Sequence, residues 1–270
     1  MPFTLAGVVG TVALGPRMQR IEVEAEDPGT LAVPVAADAA VGVYFGGGDP
    51  SGTDARTYSV RHHDGARLTL DVVLHTHGPG TGWASTARPG QRVGLDHARS
   101  WYRPPPETRW QLLVGDLAGL PACARILDEL PADVPVTLVV EVPDDADLDY
   151  LPGHPNLTIV AATGTGNGLG PSRLGGLVAG LALPDGPGYC WLGAEATQSR
   201  AVRKHLRALG WTTDRYDVTG YWRHDSERWD ARFAQVSGDA LAVYQRALAD
   251  GKGDKLALEE FDEALERVGL

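Results

Sequence analysis

A proline-rich stretch, RPPPETR at residues 103–109, divides this chain into two halves with different sequence patterns. Before it, short β-rich runs follow one another across turns rich in Gly, Pro and Asp, with no helix of any length between most of them. After it, apolar strands alternate with segments of helical periodicity. Such a change of pattern predicts two domains of different fold class.

The first half predicts an antiparallel β-barrel. In RLTLDVVLH, Leu68, Leu70 and Val72 fall on one face, as in a half-buried strand. Six short runs without long intervening helices are typical of a barrel. The predicted strands are FTLAGVVGTVAL, QRIEVEAE, VGVYF, RTYSVRH, ARLTLDVVLH and QRVGLDH.

The second half predicts a parallel sheet with covering helices. An apolar strand, WQLLVGD, precedes LPACARILDEL, in which Leu120, Ala124 and Leu127 form a helical stripe. Because strands and helices alternate, the strands are expected to run parallel. The other predicted strands are VTLVVEV, NLTIVAA, GYCWLGA and RYDVTGYW, and the longest helix between them is EATQSRAVRKHLRAL.

The segment from Asp225 onward predicts two amphipathic helices that pack on the domain or form a dimer contact. The helices are GDALAVYQRALAD and DKLALEEFDEALERV, joined at GKG. Their predicted apolar stripes are Leu241, Tyr244 and Leu248, and Leu258, Phe261 and Leu265.

Charge and composition narrow the class of function. A formal net charge of −11 argues against binding to nucleic acid or to anionic membranes, which need a basic surface. No run of 18 apolar residues occurs, and MPFTLAGVVG lacks a charged region before a long apolar core, so we expect no membrane span or signal peptide. Cys123 and Cys190 are far apart and support no disulfide framework or thiolate metal site. These features predict a cytoplasmic protein and leave the oligomeric state open.

A glycine cluster, TIVAATGTGNGLG at residues 158–170, invites comparison with dinucleotide-binding fingerprints. Its spacing is G-x-G-x-G-x-G rather than G-x-G-x-x-G. A fingerprint also opens the first strand–helix unit of its domain, whereas this cluster follows the third predicted strand. We therefore predict that it is not a Rossmann fingerprint.

Three segments of the first half, RTYSVR, DVVLH and GPGTGWA, resemble in order and spacing the flavin-binding motifs of siderophore-interacting proteins, also called ferric-siderophore reductases. The resemblance continues in GDLAGLPACARILDELP, YCWLGAEATQSRAVRKHLR and GYWR, and covers most of residues 1–224. It implies a Greek-key FAD-binding barrel at residues 1–105, a five-stranded NAD(P)H-binding-like α/β domain at 106–224, and a helical extension at 225–270.

The flavin motifs suggest how FAD would be held. Arg56 can bind phosphate in a forked geometry, and Tyr58 lies on the same strand face. The resemblance implies that Tyr58 packs against the flavin ring and that Ser59 bonds near N5. It further implies that Asp71, Val73 and His75 border the ring and ribityl chain, while Gly78, Gly80, Thr81 and Trp83 introduce a helix whose amides hold the pyrophosphate.

Each motif taken alone has a simpler interpretation. RTYSVR fits an ordinary surface strand, and Trp83 fits barrel packing. His75 and His77 lie two residues apart and suggest a metal pair, but no third ligand is near them in sequence. The ordered series favours flavin over these alternatives.

The chain departs from the family pattern where a nicotinamide would bind. The family usually has GDETALPA, and here Leu117 and Ala118 replace the acidic residue and the threonine. After the third strand the family typically has an arginine, but this chain has no basic residue there before Arg173. Because a 2′-phosphate needs such a cation, we expect NADH rather than NADPH. Nicotinamide contacts, if they exist, are predicted at Gly115, Asp116, Ala118 and Glu195.

The leading hypothesis is an FAD-dependent oxidoreductase that passes electrons from reduced nicotinamide through FAD to a ferric siderophore. The cofactor carries the chemistry, so no catalytic side chain is assigned. Arg103 and Arg223 are candidates to attract an anionic siderophore. The alternatives are a biosynthetic flavoprotein that catalyses a cyclisation or rearrangement without nicotinamide, and a noncatalytic ligand-binding protein.

Overall fold

The structure is a computed structural model that describes residues 3–47, 55–75 and 78–270. Its first part is a closed antiparallel barrel with the strand order β1-β2-β5-β4-β3-β6, which confirms the predicted barrel. The strands are β1 (Phe3–Gly15), β2 (Met18–Ala25), β3 (Ala40–Tyr44), β4 (Ala55–Asp64), β5 (Arg67–Val73) and β6 (Arg92–Arg99). Two short helices accompany them, α1 (Pro28–Leu31) and α2 (Pro79–Thr86).

Every second side chain along the strands points inward, and these side chains fill the barrel core. Leu70 of β5 pairs with Ile21 of β2 on one side and with Val60 of β4 on the other, and all three side chains are buried in the barrel core. The intervening residues of β5 point outward, where Val73 packs into the core of the second domain. The outer face of β5 is therefore an interdomain surface rather than a solvent face.

The second part is a five-stranded parallel sheet, as predicted, and its strand order is β11-β10-β7-β8-β9. Chain order reverses between β7 and β10, and ligands of open parallel sheets bind at such a switch point, beyond the carboxyl ends of the strands. The strands are β7 (Trp110–Asp116), β8 (Val136–Val142), β9 (Leu157–Thr163), β10 (Gly188–Glu195) and β11 (Tyr216–Trp222). The helices are α3 (Leu120–Glu129), α4 (Leu174–Ala179) and α5 (Ala196–Ala208), with 3₁₀ turns at Asp145–Tyr150 and Thr213–Arg215.

The C-terminal helices exist as predicted, but the first is longer and buries a different face, whereas the second buries Phe261 and Leu265 of its predicted stripe. Helix α6 (Ser226–Ala249) begins at Ser226 rather than Gly238, and α7 spans Asp254–Arg267. The predicted stripe was wrong at Leu241, Leu248 and Leu258, which are 47%, 41% and 43% exposed. The face that packs consists of Trp229, Phe233, Val236, Ala240, Phe261 and Leu265.

The buried face follows from the aromatic residues in the added turns of α6. Trp229 and Phe233 stack with ring centroids 4.8 Å apart, and Phe233 meets Phe261 of α7 edge-on. Aromatic side chains bury more apolar area than leucines, so they decide which side of α6 faces inward. None of the helices in the described part of the chain could span a membrane.

Candidate functional site

The first half of the candidate site lies where β4 meets α2. Tyr58 packs against Phe45 and Trp83, whose ring centroids lie 6.4 Å and 6.1 Å from that of Tyr58. Phe45 and Trp83 stack on each other at 5.0 Å. A Cβ at Gly80 would overlap the Tyr58 hydroxyl, so only glycine lets α2 approach this ring so closely. Burial raises the pKa of Tyr58, which keeps its hydroxyl protonated.

A phosphate-sized binding position lies beside this aromatic cluster. Gly78 has a φ of 116°, which turns the chain so that Pro79 can begin α2, and no side chain caps the helix. The first-turn amides of an uncapped helix can bind an anion. Arg56 is exposed, and its Cγ would be 3.9 Å from a Cβ placed at Gly80. The arginine and the helix N-terminus therefore lie together.

These residues fit a flavin dinucleotide. They combine a positive charge, uncapped helix amides and aromatic faces, which match the pyrophosphate and the ring system. The Trp83 Nε1 group is buried without a hydrogen-bond partner in the protein, and a bound ligand could accept from it. The Thr81 hydroxyl is already used, because its oxygen accepts from the His75 backbone amide at 2.9 Å.

The predicted residues that face outward from β4 and β5 contact the second domain. The Ser59 hydroxyl lies 3.3 Å from the Tyr221 hydroxyl. The Asp71 carboxylate accepts from Arg20 at 2.8 and 2.7 Å and from the Tyr150 hydroxyl at 2.5 Å. The Asp71 side chain thus links the barrel to the second domain through Tyr150. A contact between Asp71 and the flavin stays a prediction.

The barrel site and the sheet meet at His75. Its ring centroid lies 6.5 Å from that of Trp222, the last residue of β11. His77, the other member of the suggested metal pair, lies outside the described residues. The contact brings the DVVLH segment of the barrel against the carboxyl edge of the sheet, which we define as the ends of β7, β8 and β10 at Asp116, Glu141 and Glu195.

Asp116 is the centre of the carboxyl edge. One carboxylate oxygen accepts from the Ala118 amide at 3.0 Å, and the other accepts from the Glu195 amide at 2.9 Å and from Trp222 Nε1 at 2.6 Å. Burial raises the pKa of Asp116 to about 6, although these hydrogen bonds oppose the shift. One buried carboxyl group therefore holds the ends of three strands.

The predicted nicotinamide positions are tightly packed. Gly115 is buried at the end of β7, and a Cβ at Gly119 would overlap the Gly193 carbonyl of β10. The Leu117 side chain is buried in the core that the two domains share. Glu195 caps α5 by accepting from the Thr197 amide at 2.7 Å. Ala118 is partly buried, with its amide bonded to Asp116.

The glycine cluster folds back over the carboxyl edge. We call residues 163–173 the glycine loop. The Glu141 carboxylate lies beneath it and accepts from the Thr165 hydroxyl at 2.8 Å, the Arg173 amide at 2.7 Å and the Ser172 hydroxyl. A Cβ at Gly166 would overlap this carboxylate. Asn167, in the left-handed region with a φ of 54°, reaches from the loop to accept from the Leu117 amide at 3.0 Å.

The two arginines assigned to substrate lie in different surroundings. The Arg223 guanidinium is 4.0 Å from the ring centroid of Trp229, and burial lowers the pKa of Arg223. Arg103 is exposed, and its backbone amide donates to the Tyr189 hydroxyl at 2.9 Å. Their roles toward a substrate stay predictions.

Sequence reasoning missed four residues of this site: Phe45, Glu141, Asn167 and Trp222. Two carried a visible signal. Glu141 is the only charged residue in the predicted strand VTLVVEV, and Asn167 is the only residue with a polar amide side chain in the glycine cluster. An acid in a buried strand needs partners, and asparagine tolerates the left-handed conformation that glycine-rich loops use.

Two family models match this chain. The model described as "Siderophore-interacting protein" matches residues 108–225, and the model "Siderophore-interacting FAD-binding domain" matches residues 50–99. Together they cover β4, β5, α2 and β6 of the barrel and all five strands of the parallel sheet. Neither includes the C-terminal helices.

Solved structures agree with the models. A siderophore utilization protein from T. fusca is 30% identical, with a TM-score of 0.69, and the match covers 83% of this chain and 95% of that one. The siderophore-interacting protein SipS from Aeromonas hydrophila is 22% identical, with a TM-score of 0.69 over 83% and 99% of the two chains. A ferredoxin NADP+ reductase from Neisseria gonorrhoeae shares the fold at 16% identity and a TM-score of 0.63, over 82% of this chain and 100% of that one.

Curated relatives match in part. The mycobactin import ATP-binding/permease protein IrtA from Mycolicibacterium thermoresistibile is 33% identical over 188 residues, which are 64% of this chain and 20% of that protein. The ferric vibriobactin reductase ViuB from Vibrio cholerae is 32% identical over 111 residues, 39% of this chain and 40% of the relative. This chain thus spans about a fifth of the IrtA protein that it matches.

Proposed function

This chain belongs to the siderophore-interacting protein family of ferredoxin-reductase-like flavoproteins, and from that premise we propose that it is an FAD-dependent reductase of ferric siderophores. The observation that carries the proposal is the packing of His75 against Trp222, whose ring centroids lie 6.5 Å apart. It joins a barrel surface suited to a flavin dinucleotide to the edge of a sheet where a nucleotide reductant would lie.

Residues on the barrel would hold the flavin in this proposal. Arg56 and the uncapped start of α2, at Gly80 and Thr81, bind the pyrophosphate. Tyr58 and Trp83 pack against the ring system, and Ser59 bonds near N5. When bound, FAD would supply hydride acceptance and the release of single electrons. The side chains of this chain bind and orient, and none is required as an acid or base.

NADH is the proposed reductant. The glycine loop offers no basic side chain before Arg173, and the acidic Glu141 is buried beneath it. A 2′-phosphate would therefore have no cation to bond with, and the nearby Glu141 carboxylate would repel it. Because that cation is missing, we propose NADH rather than NADPH as the ligand of the predicted nicotinamide positions, which are Gly115, Asp116, Ala118 and Glu195.

The proposed substrate is an anionic ferric chelate of small size. Arg103 and Arg223 are the cations proposed to attract it, and the name of the relative ViuB supports the substrate class. The net charge of −11 makes nucleic acid and anionic membranes poor partners for this chain, and we propose that it works in the cytoplasm.

The test has three steps. The purified protein is titrated with FAD and with FMN, and we expect preference for FAD because Arg56 and α2 address a pyrophosphate. With FAD bound and oxygen excluded, NADH should bleach the flavin band faster than NADPH, by about tenfold or more for one lost charge-assisted hydrogen bond. A ferric chelate should then restore the band. A protein that takes up no flavin would refute the proposal.

One observation favours a second candidate function. The backbone amides of Leu117 and Ala118 are bonded to Asn167 and Asp116, which leaves little for a nicotinamide dinucleotide. A biosynthetic flavoprotein that catalyses a cyclisation or rearrangement needs no external reductant, and a noncatalytic ligand-binding protein needs none either. If neither NADH nor NADPH reduces the bound flavin, these alternatives are favoured. Conversion of a substrate to a product would then indicate the biosynthetic flavoprotein rather than the noncatalytic binding protein.

A further inference from the structure

The loop between β7 and α3 presents three backbone amides, and all three are bonded within the protein. Leu117 donates to Asn167 Oδ1 at 3.0 Å, Ala118 donates to Asp116 Oδ1 at 3.0 Å, and Gly119 donates to the Asp116 carbonyl at 2.9 Å. In open parallel sheets, amides at the start of a helix beyond the first strand bind nucleotide phosphates. A dinucleotide therefore competes here with acceptors that belong to the chain itself.

The acceptors differ in how easily they can be displaced. Asp116 belongs to the same turn as Ala118 and Gly119, and its other carboxylate oxygen holds Glu195 and Trp222, so it cannot leave without disrupting the carboxyl edge. Asn167 comes from a separate loop, 50 positions along the chain. Its bond to the Leu117 amide is the one that a ligand can replace while the rest of the edge stays folded.

Asn167 is held in position by the hydrogen bonds of its own amide group and by the anchoring of the glycine loop. Its Nδ2 donates to the Glu141 carbonyl at 3.0 Å and to the Thr165 carbonyl at 3.3 Å. The buried Glu141 carboxylate anchors the loop through Thr165, Ser172 and the Arg173 amide. These contacts orient the side-chain oxygen toward Leu117 and place a negative charge below the position where a phosphate would bind.

We propose that Asn167 is a specificity-determining residue that lowers the affinity of this site for nicotinamide dinucleotides. Its oxygen holds the Leu117 amide, which a phosphate oxygen would otherwise accept from. The inference rests on the proposed function, in which NADH is the reductant. A phosphate forms the stronger, charge-assisted bond, so it can displace Asn167, but it does so at the expense of the bonds that Asn167 makes.

The test uses the full chain with FAD bound and NAD⁺ as the probe, because NAD⁺ binds without reducing the flavin. Asn167→Gly removes the side chain and keeps the left-handed backbone conformation. We expect NAD⁺ to bind this variant about five- to tenfold more tightly than wild type, measured by calorimetry, for one hydrogen bond no longer displaced. The matched control is Asn156→Ala, since Asn156 also bonds a loop carbonyl, that of Ala132, and should leave the affinity unchanged.

A second variant and a second measurement guard against a loosened loop. Asn167→Asp keeps an acceptor for the Leu117 amide but cannot donate to the Glu141 and Thr165 carbonyls. Its added negative charge should lower NAD⁺ affinity below that of wild type. Hydrogen exchange at the Leu117 amide should be faster in Asn167→Gly than in wild type. Unchanged exchange in Asn167→Gly, or NAD⁺ affinities that move in the same direction in both variants, would overturn the inference.

The proposed function is tested separately in the same samples. Flavin is reduced with light and a sacrificial donor, and a ferric chelate is added without any nicotinamide. Failure of this step refutes the reductase proposal and leaves the NAD⁺ affinities to decide the role of Asn167. Success together with unchanged NAD⁺ affinity in Asn167→Gly refutes the role of Asn167 alone.

Discussion

The barrel and the parallel sheet each place a glycine before a helix that has no side-chain N-cap, yet the surroundings of the two helix starts differ. At α2 no side chain caps the helix, and the exposed Arg56 lies beside it. At α3 the preceding amides bond to Asp116 and Asn167. The start of α2 is therefore open to an anion, whereas the loop amides before α3 are satisfied internally.

The charges near the two turns sharpen the difference. Arg56 contributes a cation beside α2, whereas the sheet edge contains the buried carboxyl groups of Asp116 and Glu141. A phosphate is attracted to the first position and repelled from the second. Glycines near a strand end thus do not identify a nucleotide site by themselves, and the neighbouring side chains decide what the turn can bind.

The largest effect should come from Asp116, and it tests whether the sheet edge carries a buried charge. Burial raises the pKa of Asp116 to about 6, so the folded state binds the proton more tightly than the unfolded state. The resulting stability is fully present below about pH 4 and is lost as the pH rises through about 6, on the order of 3 kcal/mol for a shift of about two units.

Asp116→Asn removes this titration. We expect the free energy of unfolding of wild type, relative to that of Asp116→Asn, to fall between about pH 4.5 and about pH 7, as measured by urea unfolding across that range. Subtracting the variant cancels the other carboxylates. A difference that does not vary with pH would mean that the edge carries no such charge, and the contrast with the barrel would lose its electrostatic basis.

The next effect concerns the open turn of the barrel. Arg56→Ala should weaken FAD binding by about 1.5–3 kcal/mol, the range for a hydrogen bond to a charged group. The control is Arg67→Ala in the same barrel, because Arg67 is exposed and pairs only loosely with Glu24 at 3.8 Å. Equal losses in both variants, measured by fluorescence titration, would show that general charge rather than a defined phosphate position binds the cofactor.

A smaller effect should come from the close approach of α2 to Tyr58. Gly80→Ala places a methyl group where it overlaps the Tyr58 hydroxyl, and such overpacking costs about 1–3 kcal/mol. Removing that hydroxyl with Tyr58→Phe should restore much of the stability and the FAD affinity of Gly80→Ala. If the double variant is no better than Gly80→Ala alone, the helix does not rest on this ring and the barrel turn is less defined than the sheet turn.

The fold could be predicted from the sequence because its signals are local. Strand and helix periods predicted the eleven strands of the described residues, and RPPPETR lies between β6 and β7. The inward face of α6 could not be predicted from its leucines, since Trp229 and Phe233 lie in turns that the pattern did not include. Competing apolar faces on one helix are resolved only by what the helix packs against.

The candidate site divides along the same line. Arg56, Tyr58 and Gly80 belong to motifs that in series resemble the flavin site of the family, so the resemblance already predicts their proximity. The sheet edge joins Asp116, Glu141, Asn167 and Trp222 from four separate segments. No spacing rule brings such residues together, because their contacts depend on the sheet order and on loops that fold back.

The smallest effect tests whether the C-terminal helices are independent of both regions. Asp262 of α7 accepts from Arg203 at 2.7 Å and from Arg200 at 3.3 Å, and both arginines belong to α5. Asp262→Asn keeps the shape and loses the charge, so we expect a loss of about 1 kcal/mol in the free energy of unfolding. Every flavin motif lies upstream, so FAD affinity should stay within about twofold of wild type, which is less than half a kcal/mol. Glu266→Gln, which alters the more exposed pair with Lys204, should change stability less.

If Asp262→Asn weakens FAD binding tenfold in protein that still unfolds cooperatively, then α7 supports the flavin site through α5. The contrast between an open barrel turn and a closed sheet edge would then have to include the helices that hold α5 in place.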